Sequence, residues 1–459
     1  MTANFSYFAF MKKIFFLMLI TITFFSCNKE KPDDNNNPPP PDDTTTFTIP
    51  KTEDIVMYEV NLRALSTTGD FQGVISRLDE IKALGINVIW LMPVHPIGEI
   101  NSVNSPYSVK NYKEVNPEFG TLDDFKSLVD KAHESGIAVI MDWVANHTAW
   151  DNPWIVNKDW YNQDGNGNII PPAGTNWEDV ADLNYDSQEM RQEMIESMKY
   201  WIIEADVDGY RCDAADMIPF DFWQEAITAL DAVTEKELIL LAEGSRADHF
   251  TAGFQMNYAW SFYGTIKAVF SQNTSASSIT SAHNIEYSNL PDGKHKLRFT
   301  TNHDESAWDA TPMVLFNGEQ GALAASVITI YMGGIPLIYG SQEVGTEDNV
   351  SFFTNDPVNW SQHPEMLLAY KDIIKFRNGS DVLKKGELVS YPDADVVAFR
   401  RDYEEKEVLV LVNVRDRIVN YDIKTELENT AWLDAYDSSA VTLSGDIELE
   451  PFGYLVLKR

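Results

Sequence analysis

The chain has 459 residues, 44% of them hydrophobic and 23% charged, so it exceeds the roughly 150 residues of an average domain and can bury a large core. Its 35 Lys+Arg against 70 Asp+Glu give a formal charge of −35, which repels phosphate backbones and anionic lipid surfaces and argues against nucleic acid as a partner. Two cysteines cannot build a disulfide framework or a cysteine zinc site.

Lys12 and Lys13 precede an apolar run over 14–25, followed by Ser26-Cys27. A basic start, a short apolar stretch and a small residue at the cleavage point are the pattern of a bacterial signal peptide. A run of about 12 residues is too short to span a bilayer as a mature helix. The end, Phe24-Phe25-Ser26-Cys27, resembles a lipobox, which implies that residues 1–27 are an address and that Cys27 is lipidated. Residues 28–50 are largely Asn, Asp, Pro and Thr and read as a tether without a core. Lys29-Glu30 resembles a surface-export signal. The expected location is therefore the cell envelope, on the outer membrane and at the cell surface, with the periplasmic face as the alternative. Membrane attachment would run through Cys27 only.

Further on, apolar strands alternate with helical stretches. Strands are expected over 55–60, 88–91, 137–141, 207–212, 238–242, 255–258, 297–301 and 335–339, and helices over 70–84, 122–135, 187–205, 220–232, 265–270 and 318–331. Eight such strands over roughly 300 residues fit a (β/α)8 barrel best; an open doubly wound sheet lacks its Gly-rich phosphate turn here. Loop-rich residues 147–182 interrupt the barrel segments 51–146 and 183–379 as a short inserted domain. Residues 380–459, with β-rich runs at 396–400, 408–412 and 454–458, read as a C-terminal antiparallel β-sandwich.

Asp142, Arg211, Asp213, Glu243 and Asp304 each follow an apolar strand run. In a barrel those strand ends converge on one mouth. One acid after a strand is usually a helix cap, but crowded carboxylates raise one another's pKa, so one can donate a proton while another stays ionised. That is the equipment of glycoside hydrolysis, which needs no redox metal or organic cofactor. Cys212 alternates with Arg211 and Asp213 and should be a buried small apolar residue on the helix side.

The neighbourhoods of these residues are more specific. Asp142-Trp-Val-Ala-Asn146-His147, Gly209-Tyr-Arg211-Cys-Asp213, Glu243 after Leu240-Leu241-Ala242, and Phe299-Thr-Thr-Asn302-His303-Asp304 occur in this order. They resemble the four strand-end motifs of the α-amylase family, glycoside hydrolase family 13. Ala181-Asp182-Leu183-Asn184 resembles that family's motif at the end of its domain B, and Ser105-Pro106-Tyr107 with Tyr112 its segment after the second strand. The resemblance implies Asp213 as nucleophile, Glu243 as general acid and base, and Asp304 as the residue that binds sugar hydroxyls and stabilises the transition state. It implies further that Arg211 keeps Asp213 ionised, that His147 and His303 bond the sugar, and that Tyr107 stacks on it. Asp142, grouped with these binding residues, reads mainly as a support for Arg211. The expected substrate is an α-1,4-glucan such as starch, glycogen or a maltooligosaccharide, cleaved with retention. Alternatives are neopullulanase, oligo-α-glucosidase or glucanotransferase activity, or a non-catalytic starch-binding lipoprotein.

No cofactor is required for this chemistry. A structural calcium is open, because many members use an Asn equivalent to Asn146 with domain B carboxylates. Asp164-Gly-Asn166-Gly-Asn168 has Ile169 and Thr175 where a calcium loop needs Gly and Glu, and reads as a turn. Trp150, Trp154, Trp160, Tyr161 and Trp177 could be sugar platforms or the core of domain B. Many members carry Lys-His three and four residues after the nucleophile; here stand Asp216-Met217. Asp216 is expected either to contact a sugar on the leaving-group side or to cap a helix.

Overall fold

The structure, a computed structural model, describes residues 47–459 apart from Asn273. The leader, Cys27 and residues 28–46 of the tether lie outside the described residues.

Eight parallel strands close a barrel in the order β1-β10-β9-β8-β7-β6-β3-β2. They are β1 (Met57–Val60), β2 (Val88–Leu91), β3 (Ala138–Val144), β6 (Gly209–Asp213), β7 (Ile239–Ala242), β8 (Met256–Tyr258), β9 (His295–Arg298) and β10 (Ile335–Tyr339). Between β3 and β6 a short antiparallel pair, β4 (His147–Ala149) and β5 (Val180–Asp182), frames the inserted loops. Strands buried on both faces read as unbroken apolar runs, which is why most of these are visible in the sequence. Val88, Trp90, Ala138, Ile140, Leu241, Leu297 and Leu337 fill the barrel interior. Tyr58, Ile89, Met141, Tyr210 and Cys212 face outward into the larger core under the helices. This parity puts Glu59, Asp142, Arg211 and Asp213 on the inner side with the interior residues. At Gly209, with φ +148°, a Cβ would lie 1.9 Å from the Ile239 carbonyl oxygen, so only glycine lets β6 start this close to β7.

Two helix starts follow their capping signals closely. Asp70 accepts from the Gly73 amide before the helix Phe71–Ala83, and Thr121 and Asp124 form a capping box on the helix Leu122–Glu134. Several expectations need correction. Within the range expected as tether, Phe47 stacks on His133 at 4.1 Å and Ile49 packs on the barrel core. Strand β3 runs through Asp142 to Val144. Strand β9 ends at Arg298, because Phe299–Thr301 already belong to the loop over the barrel mouth, and its Lys296 and Arg298 break the apolar pattern. The helix expected at 265–270 spans Trp260–Gln272, and the helices Ser277–Tyr287 and Pro364–Asn378 were not anticipated.

The C-terminal domain is a six-stranded antiparallel sheet, ordered β11-β12-β13-β18-β15-β16, with a two-stranded ribbon β14-β17. The strands are β11 (Glu387–Ser390), β12 (Val396–Tyr403), β13 (Lys406–Asn413), β14 (Val419–Asp422), β15 (Thr430–Asp434), β16 (Ala440–Leu443), β17 (Asp446–Leu449) and β18 (Tyr454–Lys458). Ala398, Leu409, Leu411, Tyr421, Trp432 and Leu457 form its own core. On the opposite face Val397, Phe399, Val410 and Val456 join the core shared with the barrel helices. This sheet is thus buried on both sides, as its long apolar strands require.

Candidate active site

The C-terminal ends of the barrel strands meet at a cavity of about 590 Å³ lined by Tyr107, His147, Asp213, Glu243, His303 and Asp304, among others. Arg211 stands behind them, fully buried. Its Nη1 donates to Asp142 Oδ1 and to Asp213 Oδ1, both at 2.8 Å, and its Nε donates to the Tyr258 hydroxyl at 3.2 Å. Its Nη2 lies 2.9 Å from Glu243 Oε1, close enough for an ion pair but off the hydrogen-bond axis. One guanidinium therefore carries three carboxylates from β3, β6 and the end of β7.

Burial and crowding set the protonation of these acids. Burial pushes Glu243 up to about 7; Arg211 opposes this, while Asp213 and Asp304 add to it. Burial lifts Asp213 to about 6 against the pull of Arg211. Asp142 is raised to about 6 for the same reasons. Glu243 is thus the carboxyl that holds its proton to the highest pH of the three. Its Oε2 accepts from the Ala214 amide at 2.7 Å, and Ala214 adopts a left-handed conformation (φ 44°, ψ 38°) that is uncommon for a residue with a Cβ. Such strain directly after Asp213 is held by the surrounding contacts and aims the amide at Glu243.

A second chain of contacts runs along the other wall. Tyr107 donates its hydroxyl to Asp142 Oδ2 at 2.9 Å, and its oxygen lies 2.7 Å from His303 Nε2. A tyrosine hydroxyl has one proton, so it accepts from His303 here. His303 Nδ1 is bonded to Glu59 Oε1. Both ring nitrogens thus act as donors and the imidazole is cationic. The electrostatics agree: burial alone would lower the His303 pKa, but Asp304 and Glu59 outweigh it and raise it to about 9. His147 is the opposite case, held neutral because burial lowers it to about 4.

The structure brings together the predicted residues Asp142, Arg211, Asp213, Glu243, Asp304, Tyr107, His147 and His303. Asp304 sits in the first turn of the helix His303–Trp308, whose N-cap Asn302 accepts from the Glu305 amide. Asn146 is turned to its neighbour, with Nδ2 3.3 Å from His147 Nδ1. The domain B carboxylate Asp182 accepts from Asn162. Among the described residues no group of three or more His, Cys, Asp or Glu is arranged to hold a metal. Asp164 accepts from the amides of Asn166 and Asn168, as a turn requires. Of the loop aromatics, Trp177 lines the cavity and contacts His147 at 5.4 Å. Trp154 packs on Tyr112 and Trp160, and Tyr161 is buried. The cap expected of Asp216 is corrected. Its carboxylate accepts from the Ser245 and Arg246 amides at 3.0 and 3.2 Å, and the turn Ala215–Met217 has no side-chain cap. Asp216 locks the loop after Glu243, where Gly244 leaves the space that a Cβ would fill 2.3 Å from Asp216 Oδ1. Sequence reasoning missed Glu59, although a charged residue at inward parity in the apolar run Met57–Val60 is a readable signal.

The α-amylase catalytic domain family matches residues 42–369. The chain belongs to this α-amylase family. α-Amylase 3 of Dictyoglomus thermophilum is 24% identical to it over 89% of this chain and 94% of that protein. Among solved structures, an α-amylase from Lactobacillus plantarum matches with a TM-score of 0.81 at 28% identity, covering 89% of this chain and 99% of that one. A noncanonic maltogenic α-amylase from Thermotoga neapolitana gives 0.80 at 26% identity, with 89% and 99% coverage. The eight-stranded barrel with its acids at the strand ends is therefore that of an α-amylase family glycosidase.

Proposed function

We propose that this α-amylase family member is a retaining hydrolase of α-1,4-glucosidic bonds in starch-like glucans and maltooligosaccharides. The observation that carries the reading is the pairing of Asp213 and Glu243 on one Arg211 guanidinium, with burial lifting Asp213 to about 6 and Glu243 to about 7 while Arg211 opposes both shifts. Two carboxyls bound to one such group are close, as retention requires; retaining enzymes space them by about 5–5.5 Å.

In the first step the Asp213 carboxylate attacks the anomeric carbon through Oδ2, the oxygen not bonded to Arg211. The bond from that carbon to the glycosidic oxygen breaks, and the Glu243 proton passes to the leaving oxygen. In the second step Glu243, now a carboxylate, takes a proton from water. The water oxygen bonds to the anomeric carbon, and the ester bond to Asp213 breaks. Asp304 accepts from sugar hydroxyls and, with Asp213, faces the positive charge that develops on the ring. Tyr107 and His303 form the apolar and cationic floor of the cleavage site, and His147 lines its other side.

The proposal extends to location: an outer-membrane lipoprotein anchored through Cys27 and facing the cell surface, supported by the lipobox-like sequence and the polar tether. Reducing-sugar release from amylose, pullulan and cyclodextrin, with the anomeric form of the first product read by NMR, tests the activity. Release of the α-anomer from amylose is expected; β-anomer as the first product contradicts retention, and no release from any of the three contradicts hydrolysis.

A further inference from the structure

The cavity has an aromatic wall that the chemistry above does not use. From the cleavage site outward, His303 contacts Phe352 at 5.4 Å, Phe352 stacks on Phe353 at 4.3 Å, and Phe353 meets Trp308 at 5.5 Å. Trp308 is 70% exposed, the largest exposed hydrophobic side chain among the described residues, yet it lines the same cavity as Asp213 and Glu243. It stands one helical turn after Asp304, so both side chains project from the same helix face.

An exposed tryptophan on a loose loop would need no explanation, but this one is held. Its neighbour Asp309 pairs with Lys267 at 2.5 Å. The segment carrying the two phenylalanines is tied to the same helix by Val350 N to Ser306 Oγ and by Asn349 Nδ2 to the Ala307 carbonyl, both 3.3 Å. On its other side the buried Arg63 donates Nη1 to the carbonyls of Phe352 and Asn104, at 2.9 and 3.0 Å. Asn104 in turn donates to the Phe353 carbonyl. A flat apolar ring is thus presented to solvent on a rigid mount, at the mouth of a cleft lined by Asp213, Glu243 and Asp304. Pyranose rings have apolar faces of CH groups and a polar rim, so they match a flat ring beside hydrogen-bonding acids.

Resting on the α-glucan reading above, we propose that Trp308, backed by Phe352 and Phe353, is a sugar-stacking subsite for a glucosyl unit two or more positions from the reacting carbon. The side follows from the placement of the acids. Glu243 protonates the leaving oxygen and lies against Ala214 and the loop locked by Asp216, so the leaving portion of the chain departs there. Trp308 shares the helix of Asp304 and continues the wall that begins at Tyr107 and His303. It therefore serves the portion of the glucan that stays on the enzyme, and sets how many units that portion holds.

The test compares Trp308→Ala and Trp308→Phe with the parent on maltoheptaose and on an aryl α-glucoside, which places one glucosyl unit on the retained side. Because Trp308 is exposed, its truncation leaves the core intact. Losing the apolar stacking area should lower kcat/KM on maltoheptaose about tenfold in the alanine variant, mostly through KM. The phenylalanine variant should recover most of it, and activity on the aryl glucoside should stay at the parent value. Equal losses on both substrates, or no loss on either, would overturn the subsite. The same two Trp308 substitutions in a Glu243→Gln background, titrated with maltoheptaose by calorimetry, separate the two readings. Equal binding by Glu243→Gln with and without Trp308 refutes the subsite while the α-glucan reading stands. Absence of binding by Glu243→Gln, together with absence of hydrolysis by the parent, refutes both.

Discussion

Replacing Glu243 by glutamine should change how stability depends on pH, and the direction follows from burial. Glu243 has an ordinary value of 4.5 and is pushed up to about 7 in the folded protein, first by desolvation and then by Asp213 and Asp304, against Arg211. A carboxyl with a raised folded pKa binds its proton more tightly folded than unfolded. Its favourable contribution is complete below the unfolded value and is lost as pH climbs through the folded value. At about 1.4 kcal/mol per pH unit, the rise corresponds to a penalty of up to about 3 kcal/mol carried by the parent above pH 7. The glutamine variant carries no such penalty. It does leave the amide unable to satisfy both Arg211 and the Ala214 N–H, at a cost on the order of 1 kcal/mol that does not vary with pH. The stability of the variant relative to the parent should therefore climb between about pH 4 and pH 8, by up to about 3 kcal/mol. Urea unfolding followed by tryptophan fluorescence at several pH values measures the gap. A gap flat to within about 0.5 kcal/mol across that range would refute the claim that Glu243 is held protonated by its surroundings.

Asp213→Asn preserves shape and removes the nucleophilic charge, and kcat on soluble starch should fall by at least about 10³-fold; near-normal hydrolysis by the folded variant would reassign the nucleophile. Asp216→Ala frees the Ser245 and Arg246 amides, so melting temperature should drop while the cleavage pattern on a maltooligosaccharide ladder stays the same; a moved pattern at unchanged melting temperature would restore a sugar contact. Cys27→Ala in the precursor removes the lipid whose burial supplies about 0.8 kcal/mol per CH2, and the protein should leave the membrane fraction; retention there equal to the parent rules out the lipid anchor.

The barrel was readable because parallel strands buried on both faces leave unbroken apolar runs, and Asp142, Asp213 and Glu243 were readable because each stands at or just beyond such a run. The same logic explains the failures. Strand β9 carries Lys296 and Arg298, whose charges are answered by Asn257 and Glu286 on neighbouring elements, and no local pattern announces those partners. Glu59 hides in a four-residue strand, and its partner His303 lies 244 positions away. The roles of Asp216 and of the Phe352-Phe353 pair depend on loops that meet only after the barrel closes. Periodicity describes one element at a time and carries no information on such meetings.

The charge balance around the cavity explains why one acid must keep a proton. Glu59, Asp142, Asp213, Glu243 and Asp304 are five carboxyl groups, and among the described residues only Arg211 and a protonated His303 pair with them as cations. With every acid ionised the cluster would carry a surplus of negative charge in a largely buried space, where screening is weaker than in water. Proton uptake relieves that surplus, and it occurs where the nearest cation helps least. Asp142 and Asp213 each receive a hydrogen bond from Arg211 Nη1, whereas Glu243 meets Nη2 off axis. Burial raises all three carboxyls on this guanidinium, Asp142 and Asp213 to about 6 and Glu243 to about 7, and Arg211 opposes each shift. An acidic protein needs no further cation at this site, because the scarcity of positive charge is what supplies the acid.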